Sequence, residues 1–101
     1  MEVRAKKHLG QHFLTDLRVA QQIADSLPTA EPTRVIEIGP GMGVLTQFLL
    51  QNPNINLTAI EIDTESVVYL REHYPQLHVV EGDFLRLNLD AIVGEGPFMV
   101  I

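Results

Sequence analysis

The sequence predicts an α/β fold with a doubly wound parallel sheet, and three observations carry that expectation. Short apolar, β-branched runs alternate with helical periodicity along the chain. The first run, Val35-Ile-Glu-Ile-Gly-Pro-Gly-Met-Gly-Val-Leu-Thr46, passes through a glycine-rich turn into a helical pattern. This is how α/β proteins present backbone amides and a helix N-terminus to a ligand. Acids follow the second and third runs at Glu61 and Asp83, so three strand ends are expected to meet at one crevice.

Taken in order, Thr15 or Asp16 supplies an N-cap, and Leu17, Ala20, Ile23, Ala24 and Leu27 keep helical spacing until Pro28. Pro28 to Thr33 is a connection. Arg34 to Ile38 is the first strand, apolar on both faces except at Glu37, as in a strand covered by helices on each side. Gly43 to Leu50 is the next helix, closed by Asn52-Pro53-Asn54. Leu57 to Ile62 is the second strand. Asp63 caps a helix running to His73, with Glu65 favourable to the macrodipole in its first turn and Pro75 beyond its end. Leu77 to Val80 is the third strand and Gly82-Asp83 a turn. Phe84 to Val93 is irregular or briefly helical, and Phe98 to Ile101 begins a fourth strand after a Gly-Glu-Gly-Pro turn. Right-handed crossovers make these one parallel sheet.

A chain of 101 residues, 46% apolar and 20% charged, holds at most one globular domain. No apolar run approaches the roughly 18 residues that cross a bilayer, and no apolar signal core follows the N-terminal cations; a soluble, cytoplasmic protein is expected. Lack of cysteine excludes disulfides, thiolate metal sites and cysteine nucleophiles. The net charge of −6 argues against a generally basic nucleic-acid-binding surface. Nevertheless Arg4, Lys6, Lys7, His8 and His12 crowd the first twelve residues against one acid, Glu2. Residues 1–14 therefore read as a basic arm, either a solvated tail or a phosphate-contacting element, and 15–101 as the α/β part. A parallel strand needs both faces buried, so the apolar run ending at Ile101 is expected to belong to a larger domain. If the piece folds alone, that edge is expected to drive self-association.

Glycines at 39, 41 and 43 let the backbone turn sharply and approach a ligand, and they exceed what a bare connection needs. Val44 stands where the dinucleotide fingerprint requires glycine, and no Gly-Lys-Ser/Thr follows. Glu37, two residues before the loop, suits a cationic ligand group or orients the turn by hydrogen bonds. Glu61 follows Gly39 by 22 positions (61 − 39), near the roughly 20-residue offset at which an acid accepts from ribose hydroxyls. Asp83 can accept from an exocyclic amine, with Phe84 beside it to pack on a purine. The ligand implied is nucleoside-like, with an unphosphorylated, cationic tail.

This combination is similar to the class I S-adenosylmethionine-dependent methyltransferases, of whose Rossmann-like doubly wound sheet this chain would supply only a part, the first four strands. A closer match comes from Lys7-His8-Leu9-Gly10-Gln11-His12-Phe13-Leu14, followed by the glycine motif, Ala-Ile-Glu-Ile-Asp and Glu-Gly-Asp-Phe-Leu. Together these resemble the ribosomal RNA adenine dimethylases. The resemblance covers nearly the whole chain from Lys6, and Gln-His-Phe-Leu is its most discriminating part. It implies methyl transfer from S-adenosylmethionine to the N6 amines of two adjacent adenosines near the 3′ end of small-subunit rRNA during ribosome biogenesis. The amine would attack the methyl in line, with catalysis by positioning and electrostatics. By matching motif, His12 and Leu14 would lie at the methionine end of the cofactor and Gly39 and Gly41 along its amino-acid part. Glu61 would hold the ribose and Asp83 the adenine amine.

The family usually has asparagine at the position of His12. Histidine titrates at about pH 6.5, so cofactor affinity is expected to depend on pH. No partners at metal-ligand spacing accompany His12. The family's catalytic Asn-Leu/Phe-Pro-Tyr segment would be expected just after a strand like Phe98 to Ile101. No catalytic residue is therefore assigned within this chain, which by itself is expected not to turn over. Two rival readings are an NAD-dependent oxidoreductase domain, opposed by Val44 and Glu37, and a non-catalytic RNA-binding assembly module that uses the basic arm.

Overall fold

A computed structural model describes residues 16–94 and 96–101. The basic arm, Thr15, His12 and Leu14 lie outside the described residues. The elements are α1 (Leu17–Asp25), β1 (Thr33–Ile38), α2 (Val44–Leu49), β2 (Ile55–Glu61), α3 (Thr64–His73), β3 (His78–Glu81), a 3-10 turn (Phe84–Arg86), α4 (Leu89–Val93) and β4 (Met99–Val100). The four strands form a single sheet in the order β3-β2-β1-β4, with every pairing parallel.

That order makes the sheet doubly wound. From β1 the chain steps outward to β2 and β3, then returns to place β4 on the other side of β1, so the crossovers through α2 and α3 cover one face and the return to β4 crosses the other. One face carries Val35, Leu57, Ala59 and Val79, which pack with Ala24 of α1, Leu45 and Leu49 of α2, and Val67 and Leu70 of α3. On the other, Ile92 of α4 borders a small cavity with Arg34, Asn56, Thr58 and His78. Ile36 and Ile60 are fully buried, as expected of central strands whose two faces are both covered.

Several boundaries differ from the sequence expectation for local reasons. The first helix stops at Asp25, two residues short of Leu27: the Ser26 hydroxyl donates to Ile23 O at 2.6 Å, and the backbone tightens to i→i−3 bonds, from Ser26 N to Ile23 O at 3.3 Å and from Leu27 N to Ala24 O at 3.4 Å. Back-bonding of this kind weakens the last turn, and Leu27, as the residue before Pro28, is disfavoured in the α region. At the other end Asp16, not Thr15, is the described cap, accepting from Arg18 N at 2.9 Å.

Gly43 caps α2 from outside it at φ +84°, so that helix is Val44–Leu49 rather than Gly43 to Leu50. β2 starts two residues early, because Ile55 pairs with Thr33, and ends at Glu61. Its entry is fixed by Asn52 and Asn54, whose side-chain amides donate to Thr29 Oγ1 at 2.7 Å and Thr29 O at 2.8 Å. β3 begins at His78 in register with Thr58, while Leu77 forms a turn on Tyr74 O. The expected α3 is found, capped by Asp63, which accepts from Ser66 N at 3.0 Å and Ser66 Oγ at 2.8 Å.

β4 pairs Met99 with Val35 and Val100 with Ile36, and Ile101 extends the ladder by exchanging hydrogen bonds with Ile36 and Ile38. It is the edge strand beside β1; Met99 and Ile101 pack against the core, whereas Val100 is half exposed. Among the described residues, no helix is long and apolar enough to cross a membrane.

Candidate functional site

The carboxyl ends of β1, β2 and β3 open on a cavity of about 410 Å³ lined by Ile38, Gly39, Ile60, Glu61, Ile62, Gly82, Asp83, Phe84 and Leu85. Sequence reasoning expected the acids at 61 and 83 to meet the glycine turn, and all three stand on this one wall. The volume falls in the range of small-molecule sites. A second cavity, of about 370 Å³, lies at the opposite, amino ends of the strands around Thr33, Asn56 and Met99. Ligands of open α/β sheets occupy the carboxyl ends at the switch between β1 and its neighbours, so the first cavity is the candidate.

The turn itself is built by three glycines in the left-handed region: Gly39 at φ +64°, Gly41 at +59° and Gly43 at +84°. Side chains other than glycine rarely adopt these angles. Gly39 donates to Ile60 O at 2.9 Å, and Gly43 N closes a turn on Pro40 O at 2.9 Å. A Cβ at Gly39 would meet none of the described residues within 4 Å, so among them the cavity side of the turn is open. Gly41 is oriented differently. It is not among the residues lining the cavity, and its N–H donates to Glu61 Oε1 at 2.8 Å.

Glu61 is 1% exposed. Its second oxygen accepts from Asp63 N at 3.0 Å, so one carboxylate braces both the glycine loop and the turn into α3. Each carboxylate oxygen offers about two lone pairs, which leaves acceptor capacity on the cavity side. Asp83 is more open. Its Oδ1 accepts from Leu85 N at 3.0 Å, capping the 3-10 turn, and Oδ2 stands 3.7 Å from Arg86 Nε. Phe84 follows it on the cavity wall, and Ile62 and Leu85 are largely exposed apolar groups beside it.

Glu37 does not line the cavity. It is 2% exposed, and its Oε1 accepts from Thr46 Oγ1 at 2.5 Å. Of the two roles its sequence position suggested, the structure gives it the orienting one: it ties β1 to α2 under the loop. Burial pushes its pKa up to about 7; the Thr46 hydrogen bond pulls it down, and the nearby Glu61 charge raises it further.

Thr46 was not anticipated as a partner, although a threonine on the buried side of an otherwise apolar helix was a legible signal. Nor was Tyr74, which reaches Gly43 from 31 positions along the chain. His12 and Leu14 fall outside the described residues.

Chemically, the described lining combines apolar walls, two acids, and two glycines, of which Gly39 faces open space. Among the described residues that line it, none offers a diphosphate a cation. An uncharged heterocycle, a diol and a positively charged tail fit that donor and acceptor set.

Known proteins resemble this chain along nearly its whole length. The family model "Ribosomal RNA adenine dimethylase" matches residues 2–99. Ribosomal RNA small subunit methyltransferase A of Bacteroides thetaiotaomicron is 52% identical over 100 residues, covering 97% of this chain and 37% of that protein. The protein of the same name from Porphyromonas gingivalis is 54% identical over 98 residues, covering 95% and 38%. The chain thus spans little more than a third of these relatives. Among solved structures, the 23S rRNA methyltransferase ErmE superposes with a TM-score of 0.62 at 33% identity, covering 72% of this chain and 31% of that one. The glycopeptide N-methyltransferase MtfA, complexed with S-adenosyl-L-methionine, gives 0.59 at 25% identity, covering 73% and 35%.

Proposed function

Because this chain belongs to the ribosomal RNA adenine dimethylase family, we propose that it forms the cofactor-binding part of an S-adenosylmethionine-dependent enzyme. That enzyme dimethylates the N6 amines of two adjacent adenosines of small-subunit rRNA during ribosome biogenesis. One observation supports the reading most: Gly39, Glu61 and Asp83 border a single cavity at three strand ends.

In this reading Glu61 receives the ribose hydroxyls on the lone pairs left by Gly41 and Asp63. Asp83 accepts from the adenine amine, with Phe84 and Ile62 against the ring, and the open side of Gly39 admits the amino-acid part. Gly41 acts at one remove, by holding the Glu61 carboxylate. His12 and Leu14 of the basic arm belong at the methionine end. The cofactor, when bound, supplies an electrophilic sulfonium methyl for direct attack by the adenine amine. The residues assigned here bind and orient, and none is assigned proton transfer. Positioning of this kind supplies much of the rate of a bimolecular transfer. The partner is small-subunit rRNA within the pre-30S particle and the setting cytoplasmic. The edge strand β4, with its half-exposed Val100, offers a surface for self-association.

Calorimetric titration tests the reading. S-adenosylmethionine or its demethylated product is expected to bind, and Glu61→Ala to weaken binding by about tenfold to a hundredfold, the usual cost of a hydrogen-bonded group left unmatched. Tighter binding of NAD, or an affinity indifferent to Glu61→Ala, would overturn it.

A further inference from the structure

The glycine loop is supported by a residue from far along the chain. Tyr74 sits at the end of α3, where its N–H donates to Leu70 O at 2.8 Å and its carbonyl accepts from Leu77 N at 2.9 Å. From this anchored position its side chain runs to the start of α2. The phenol Oη donates to Gly43 O at 3.4 Å, beside the helical bond from Gln47 N to the same carbonyl at 3.0 Å. A Cβ added at Gly43 would stand 2.7 Å from Tyr74 Cε2 and 3.2 Å from Cζ and Oη. Position 43 therefore excludes a side chain for two independent reasons: its backbone lies at φ +84° and the tyrosine ring occupies the adjoining space. The ring is partly buried against the core, which raises the pKa of the phenol.

We propose that Tyr74 is a positioning residue for the glycine loop. Its ring edge seats on Gly43 and holds the left-handed backbone there. That fixes the Pro40–Gly43 turn, and through the turn the direction of the Gly41 N–H toward Glu61 and the place of Gly39 beside the cavity. The loop is thus held at both ends, by Glu61 at Gly41 and by Tyr74 at Gly43. Most of the support comes from ring packing, because the phenol contact is long for an O–H donor. The consequence for ligand binding rests on the cofactor reading above, whereas the consequence for the loop does not.

The test compares the protein with Tyr74→Phe, Tyr74→Leu and Tyr74→Ala. The first readout is amide hydrogen exchange without ligand. Tyr74→Ala is expected to speed exchange at Gly41 and Gly43 by about tenfold or more while β2 amides such as Ile60 keep their rates, the pattern of a local opening. Tyr74→Phe, which retains the ring, is expected to stay within about threefold of the parent, with Tyr74→Leu between. In the same proteins the Kd for S-adenosylmethionine is expected to follow that ranking. In the active enzyme the cofactor KM is expected to rise about tenfold at nearly constant kcat, since the residue acts on cofactor seating alone.

Loop exchange unchanged in Tyr74→Ala refutes the proposal, as does acceleration spread evenly over β1 to β3. If Tyr74→Ala fails to fold, Tyr74→Leu is judged by the same criterion. A parent protein that binds no S-adenosylmethionine, yet whose loop opens in Tyr74→Ala, would sink the cofactor reading and uphold the loop support.

Discussion

Replacing Glu37 by glutamine should remove a distinctive pH dependence of stability. The carboxyl, buried between β1 and α2, has its pKa raised from 4.5 to about 7. Between those values the folded chain keeps a proton that the unfolded chain has released, so the unfolded state binds fewer protons and stability falls as pH rises. The contribution is fully present below pH 4.5 and is lost as pH climbs through about 7. At about 1.4 kcal/mol per pKa unit, the span amounts to about 3 kcal/mol.

Glu37→Gln stays neutral and keeps an oxygen to accept from Thr46, so its stability lacks this component. Parent and variant are compared by urea denaturation followed by far-UV circular dichroism at intervals from about pH 5 to 8. Their difference should move by about 3 kcal/mol in favour of glutamine across that range. A constant offset from the extra amide N–H cancels in this comparison. A difference that stays flat with pH would refute the assignment of a buried, proton-holding carboxyl at this position.

Two further outcomes follow from the same geometry. Thr46→Val removes the hydroxyl that donates to Glu37 and should cost about 1–3 kcal/mol at pH 7.5 by denaturant unfolding, the usual cost of leaving a buried polar group unmatched. It should also move the Glu37-dependent stability loss to higher pH, because that bond lowers the pKa. Gly39→Ala forces a side chain to φ +64°, which should cost about 1–2 kcal/mol in thermal unfolding. Since the added Cβ enters open space beside the cavity, cofactor affinity measured by calorimetry should fall as well.

Much of this site was readable before any coordinates. Strand-helix alternation fixed the carboxyl ends of β1, β2 and β3 as neighbours, and Gly39, Glu61 and Asp83 fall at those ends whatever the details of packing. Side-chain pairing was less accessible. Whether Glu37 faces a ligand or a helix depends on the phase of α2 over β1, which brings Thr46 beneath it; the spacing of 9 residues has no meaning outside that packing. Tyr74 and Gly43 are joined only because α3 and α2 lie on the same face of the sheet. The early end of α1 came with a tightening to i→i−3 bonds at Ser26 and Leu27, which hydrophobic periodicity does not register. Glu61 was readable as an acid at a strand tip, but not as the brace of Gly41 and Asp63, since its partners are backbone amides without a sequence signature.

The placement of β4 next to β1 also sets an order of assembly. Thr33 finds Ile55 after 22 residues (55 − 33), whereas Val35 must await Met99, 64 residues later (99 − 35). Closing the longer loop costs about 1 kcal/mol more in chain entropy, and a polypeptide emerging from its N-terminus has made β1, β2 and β3 well before Met99 exists. Among these four strands, the flank of β1 that β4 occupies is thus the last seam to close, and until then its backbone is open to capture by any other extended chain.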